Sequence, residues 1–192
     1  VVLPLANISG VYATVPAGAT GHPISLLEKF NVDDWLTLVR QYRPATADVP
    51  PSALAMLVKA AVSHDDLSSL RVIRTGAAPL DPEVHRIINE DFGIAINLSY
   101  GASEFCGVIT TWTMEDLADF GQSKRGSCGK ALPGVRLRVV DRDDGSLLSA
   151  DETGLLEAQA DRVGPEWIRT SDLVRIDACL LYTSPSPRDR YG

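Results

Sequence analysis

Two apolar runs, residues 70–73 and 94–98, each lead into a cluster of small and polar residues, with a helix start between them. That order leaves few folds open. The first run leads to Gly76, Ala77, Ala78 and Pro79, and the second to Tyr100, Gly101, Ala102, Ser103 and Glu104. Between them Asp81 and Pro82 open a helix with proline in its first turn. A strand, a crossover helix and a second strand make a βαβ unit, which implies a parallel sheet. Both motifs then sit at the carboxyl ends of strands, where open α/β sheets bind ligands.

The same texture extends upstream. Asn31 precedes residues 32–42, where Trp35, Leu36, Leu38 and Val39 form a helical stripe, acids come early, Arg40 comes late and Pro44 gives a stop. Residues 45–49 read as a short strand, 51–62 as a helix begun by proline, and 1–5 as an apolar, strand-like run. Beyond about Phe105 strands and loops dominate. Residues 135–141 alternate with period two, 141–145 form a turn, 154–159 make a further strand, and the glycines and proline of 126–134 read as a loop. Those strands suit a small antiparallel β-subdomain.

With 192 residues, 45% of them apolar, the chain can bury a real core. A net charge of −7 argues against a nucleic-acid partner, because phosphate backbones call for a basic surface. No apolar run approaches the roughly 20 residues of a membrane span, and a cytoplasmic location is the expectation. Cys106, Cys128 and Cys179 lack paired spacing, and His22, His64 and His85 are scattered, so neither a disulfide framework nor a zinc site is expected.

The motif residues have individual chemistry. Tyr100 offers a flat aromatic face, and Gly101 lets the main chain turn and a ligand approach. Glu104 supplies a hard oxygen of the kind Mg²⁺ prefers, and Ser103 can donate its hydroxyl to a phosphate oxygen. Asp172, at the end of Trp167-Ile168-Arg169-Thr170-Ser171-Asp172, can accept hydrogen bonds from both hydroxyls of a ribose. Alone, each has a plainer reading: Tyr100 as a packed core tyrosine, Glu104 as a solvated loop residue, Ser103 as a local cap, residues 76–79 as a bland turn, and Asp172 as a surface turn aspartate.

In their order and spacing, the three motifs resemble those of the adenylate-forming, or AMP-binding, superfamily, which includes acyl-CoA synthetases, luciferases and peptide-synthetase adenylation domains. The resemblance covers residues 1–178 and extends to residues 3–10 and to Gly126, Ser127, Gly129, Pro133 and Gly134. It implies an α/β fold with βαβ units around a largely parallel sheet, part of the family's N-terminal domain, followed by part of a small β-subdomain. The expected division is 1–105, an N-terminally truncated α/β part, and 106–178, the partial β-rich part. It also implies an ATP-dependent acid–thiol ligase, most simply a fatty-acid–CoA-ligase-like acyl-CoA synthetase. Such an enzyme uses ATP, Mg²⁺ and coenzyme A with a small-molecule carboxylic acid.

By that resemblance Ser103 and Glu104 are catalytic and Glu104 holds the metal. Gly76, Ala77, Ala78, Pro79, Tyr100, Gly101 and Asp172 bind the nucleotide, and Asn7, Ile8, Gly10 and Ala102 line the acyl pocket. A peptide-synthetase-type adenylation domain, with Asp48 as the aspartate that holds a substrate amine, and a non-catalytic nucleotide-binding homologue stay open as alternatives. The departures are Asn7 where the family usually has histidine, Ser103 for threonine, Ser171 for glycine, and a short connection between Gln159 and Trp167. The family's phosphate loop with its lysine would precede Val1. Its later arginine and C-terminal lysine would follow Ala178. The expectation is therefore an internal fragment that binds adenosine or AMP weakly and forms no acyl-adenylate by itself. Residues 179–192 break the pattern, resemble a translated sequencing-library adapter, and are expected to be an artefactual tail.

Overall fold

The computed structural model describes residues 1–3, 5–6 and 8–177, together with the backbone of 182–183. The chain forms two units, Val1–Asn97 and Leu98–Gly192.

The first unit carries α1 (Ile8–Ala19), α2 (Val32–Tyr42), β1 (Thr46–Asp48), α3 (Pro51–Lys59), α4 (His64–Leu67), β2 (Val72–Gly76) and α5 (Pro82–Arg86), which widens into a π-turn at Ile87–Asp91. Strands β1 and β2 are parallel, with Thr46 opposite Val72 and Asp48 opposite Arg74. The next strand, β3 (Ala95–Ala102), starts beside β2, where the Ala95 N–H donates to the Arg71 carbonyl at 3.0 Å.

The capping chemistry explains the helix bounds. Asn31 Oδ1 accepts from the Asp33 and Asp34 amides at 2.8 and 3.3 Å, and α2 ends at Arg43, whose φ of 44° turns the chain left-handed before Pro44. Asp81 caps α5 in the same way, accepting from Glu83 at 2.7 Å. Helix α3 stops at Lys59 rather than at residue 62, because Ala61 takes a φ of 49° and its N–H turns back to Val58. The core of this unit joins Trp35, Leu36 and Val39 of α2 to Leu54, Leu57, Leu67, Ile73, Ile88 and Ile94. Each such side chain contributes roughly 1.5–3 kcal/mol by leaving water.

Residues 1–3 form no strand, although the Val1 ammonium donates to the Ser25 carbonyl at 2.7 Å and Val1 O accepts from Leu27. The strand-like reading of residues 1–5 is thus corrected for its described residues: 1–3 form no strand, 5 lies in a turn, and Leu5 is 54% exposed.

The second unit continues from β3 through a 3₁₀ turn (Ser103–Phe105) to β4 (Gly107–Thr111), α6 (Met114–Phe120), β5 (Ser127–Ala131), β6 (Val135–Val140), β7 (Thr153–Ala160), β8 (Ile168–Ile176) and the two-residue β9 (Tyr182–Thr183). In spatial order β3, β4, β5, β9, β8, β7 and β6 lie side by side, and their pairings are antiparallel. The α/β class, with parallel pairing early and an antiparallel β-region after it, holds.

Two features of this unit correct the loop reading of its sequence. Thr113 caps α6 by accepting from the Asp116 amide at 3.0 Å. Residues 127–131 are a strand rather than a Gly/Pro loop, pairing Thr111 with Lys130. Gly129 sits there at φ 81°, where a Cβ would lie 2.2 Å from the Thr111 carbonyl oxygen, so only glycine lets the two backbones come this close. The expectation of an artefactual tail concerns residues 179–192, which lie outside the described residues apart from the β9 backbone.

An ion ladder crosses β6, β7 and β8. Glu157 stands opposite Arg138 and Arg169 and pairs with them at 2.6 and 2.7 Å, and the Arg138 guanidinium lies 4.1 Å from the Trp167 ring centroid. Burial pushes the Glu157 carboxyl up, but the hydrogen bonds and charges of Arg169 and Arg138 outweigh it and hold the group below its ordinary range. A carboxyl depressed by folding stabilises the fold above its unfolded pKa of roughly 4.3, and that stability is lost as pH falls through the folded value. Glu157→Gln is therefore expected to cost about 1–2 kcal/mol at neutral pH, between the values for exposed and buried pairs, since both guanidinium groups reach solvent. Urea denaturation at neutral and strongly acidic pH checks this. The difference between variant and wild type should shrink in acid, and a constant difference would show that the charge is not what matters.

Candidate functional site

Strand β3 runs four residues past the expected 94–98 and carries Tyr100, Gly101 and Ala102 on its last stretch. A register shift falls between Tyr100 and Gly101, so Tyr100 pairs with Thr110 while Gly101 pairs with Val108. At Gly101 a Cβ would meet the Gly107 carbonyl oxygen at 2.3 Å and the Val108 Cα at 2.5 Å. Glycine is thus required at 101 by the neighbouring strand itself. The bulge turns the chain out of the sheet into the 3₁₀ turn, which presents Ser103 and Glu104 to solvent and drives Phe105 fully into the core.

Asp172 stands inside β8, not in a turn, and is half-buried. Its Oδ2 accepts a hydrogen bond from the Tyr100 hydroxyl at 2.7 Å, joining residues 72 positions apart. Burial, and then the hydrogen bond and charge of Asp172, raise the Tyr100 hydroxyl well above its ordinary pKa, so it remains a donor throughout the physiological range. Thr170, which the sequence did not single out, accepts from the Asp172 amide at 3.2 Å and donates to the Leu156 carbonyl at 3.1 Å. It lies two residues before Asp172, so its signal was the motif itself.

In the first unit, Gly76 ends β2 and Ala77 follows at φ 63°, a left-handed alanine that costs on the order of 1 kcal/mol. Ala77, Ala78 and Pro79 are exposed. Ile8 opens α1 and Gly10 is buried within it, while Asn7 lies outside the described residues. Asp48 is ion-paired with Arg74 across β1 and β2 at 2.6 Å.

Among the described residues no group of three or more His, Cys, Asp or Glu side chains could hold a metal. A cation at Glu104 would therefore take one protein carboxylate and complete its shell from ligand oxygens and water, which is how Mg²⁺ commonly binds beside phosphates. The donor set fits that ion and not a structural zinc. Cys106 and Cys128 are free thiols, one exposed and one buried, and Cys179 lies outside the described residues. No helix among the described residues is long and apolar enough to cross a membrane.

A family model described as "AMP-binding enzyme" matches residues 1–163. The chain is 29% identical over 195 aligned residues to 4-coumarate-CoA ligase 1 of Narcissus pseudonarcissus, covering 92% of this chain and 36% of that protein. Among solved structures, an ATP-bound RpMatB–BxBclM chimera is similar at 25% identity and a TM-score of 0.81, covering 95% of this chain and 38% of the chimera. O-succinylbenzoate coenzyme A synthetase from Bacillus subtilis, in complex with ATP and magnesium, shares the fold at a TM-score of 0.81 and 24% identity, over 98% of this chain and 41% of that one. The chain spans about a third of the length of the curated relatives it matches. With the family model matching most of its length, this chain belongs to the AMP-binding enzyme family.

Proposed function

We propose that the protein carrying this chain is an ATP-dependent acyl-CoA synthetase, activating a carboxylic acid as its acyl-adenylate with release of pyrophosphate and then passing the acyl group to the thiol of coenzyme A. The observation that carries the nucleotide half of this reading is the hydrogen bond from Tyr100 to Asp172. It fixes the tyrosine ring as a platform for adenine. It also holds the Asp172 carboxylate, a group that can accept from ribose hydroxyls, in a fixed orientation. Ser103 donates to a phosphate oxygen, and Glu104 supplies the protein ligand of Mg²⁺. When bound, that ion neutralises charge on the reacting phosphates. By the family resemblance, Gly76, Ala77, Ala78 and Pro79 are assigned to binding adenine and acyl group, and Asn7, Ile8, Gly10 and Ala102 to the acyl pocket. Their small, apolar or neutral character suits an uncharged aryl or aliphatic acid. A cytoplasmic setting, where ATP and coenzyme A are both at hand, goes with this reading.

The peptide-synthetase alternative needs an aspartate ready to hold an amine, and Asp48 is already engaged by Arg74. That contact favours the acyl-CoA synthetase. ATP–pyrophosphate exchange with a panel of carboxylic acids, followed by coenzyme A addition, tests the proposal. Exchange driven by amino acids would support the peptide-synthetase reading instead, and no exchange with any acid would leave a non-catalytic nucleotide binder. Asp172→Ala is expected to raise the ATP dissociation constant about 10- to 100-fold, as one charged hydrogen bond is worth roughly 1.5–3 kcal/mol. Calorimetric titration reads this, and unchanged affinity would remove Asp172 from the ribose.

A further inference from the structure

The turn that presents Ser103 and Glu104 has an unusual backbone. Cys106 has a φ of 52° and Gly107 one of 122°, so two consecutive residues lie at positive φ between the 3₁₀ turn and β4. Within the turn the Cys106 N–H donates to Ser103 O at 3.0 Å. The pairing of Ala102 with Gly107 closes the base of the turn, and within the turn one bond holds a strained reversal with an exposed carboxylate on it.

A second tie comes from far away in sequence. Arg162, in the connection between β7 and β8, donates from Nε to the Phe105 carbonyl at 2.7 Å and from Nη2 to the Val108 carbonyl at 2.6 Å. The two carbonyls bracket Cys106 and Gly107. A planar guanidinium presents its donors at a fixed spacing that suits both carbonyls at once, whereas a lysine ammonium offers no such preorganised fork. The connection that carries Arg162 is itself closed, with the Val163 and Gly164 amides donating to Ala160 O at 2.8 and 3.1 Å and the Asp161 amide donating to Gly134 O at 2.9 Å. The clamp is therefore anchored on the β6–β7 pair.

From this geometry we infer that Arg162 is a positioning residue: it fixes the 103–108 turn so that Glu104 stands where a metal–nucleotide complex can use it. The inference rests on the proposed adenylate-forming reading for its ligand, while the clamp on the backbone stands on the hydrogen bonds alone. Arg162 touches no reacting atom and acts through Ser103 and Glu104.

The test compares wild type, Arg162→Ala and Arg162→Lys. Amide exchange across residues 103–108 and the alkylation rate of the exposed Cys106 read the turn. Calorimetric titration of ATP with Mg²⁺ and with chelator reads the metal-dependent share of affinity. For Arg162→Ala, exchange and alkylation should quicken about 10-fold, the melting temperature should move by no more than a few degrees, and Mg²⁺ should lose most of its enhancement of ATP binding. Arg162→Lys should fall between. Unchanged exchange in Arg162→Ala would overturn the clamp. Faster exchange with Mg²⁺ enhancement intact would overturn the positioning role and leave a structural tie. A wild type that binds no ATP would count against the proposed function, and the exchange measurements would still decide whether Arg162 holds the turn.

Discussion

In the full-length protein that carries this chain, Glu104→Gln is expected to slow ATP–pyrophosphate exchange about 10²- to 10³-fold while changing the affinity for AMP by no more than about threefold. The size follows from what one preorganised charged contact on a reacting group is worth, roughly 3–4 kcal/mol of barrier. The asymmetry follows from where the charge acts. An Mg²⁺ held at Glu104 would act on the β- and γ-phosphates, most strongly as they react, whereas AMP lacks those groups and binds through base and ribose contacts, so most of the loss belongs to the transition state. Glutamine keeps the size of the side chain and removes only its charge. Glu104 is exposed on its turn, so the fold should not notice, and the melting temperature should stay within a degree or two. Measuring exchange rate, AMP affinity and melting on one preparation separates the cases. If rate and AMP affinity fall together, or neither falls, Glu104 is not the metal's ligand.

The local signals in the sequence were legible because caps and periodicity act over a few residues. Asn31, Arg40 and Pro44 place α2, and Asp81 and Pro82 place α5, since each satisfies or terminates a helix end by itself. Helix α1 had no such signal. It has no acid in its first turn and no base in its last, and it carries Pro16 inside. Proline usually ends a helix, and only surrounding structure lets one continue. Strand β5 was hidden for a related reason: Ser127, Cys128 and Gly129 have little strand propensity, and the strand exists because β4 lies close enough to exclude any Cβ at 129.

The candidate site divides the same way. Its residue types were readable from the motifs, but the Tyr100–Asp172 contact spans 72 positions and the Arg162 clamp 57. Nothing near Arg162 distinguishes it from an ordinary surface arginine. Only the folded chain shows that its two donors meet two carbonyls of the turn.

Phe105→Ala is expected to destabilise the second unit by about 3–5 kcal/mol, the cost of emptying a fully buried aromatic site. Phe105 follows Glu104 directly, its ring is sealed in the core, and its carbonyl is one of the two held by Arg162. The turn is therefore pinned from inside by packing and from outside by the guanidinium. Phe105→Leu keeps most of the apolar volume and should cost less than about 2 kcal/mol, leaving the turn anchored. Met56→Ala, at a position 46% exposed, should stay within about 0.5 kcal/mol and serves as the control. Urea denaturation of the three variants, followed by tryptophan fluorescence, gives the comparison through the buried Trp112. If Phe105→Ala unfolds at the same urea concentration as wild type, the ring is not an anchor, and the orientation of Glu104 must rest on the Arg162 hydrogen bonds alone. If alanine costs several kcal/mol and leucine little, the placement of the carboxylate is set by core packing one residue away, so a substitution that never touches nucleotide can still move the chemistry.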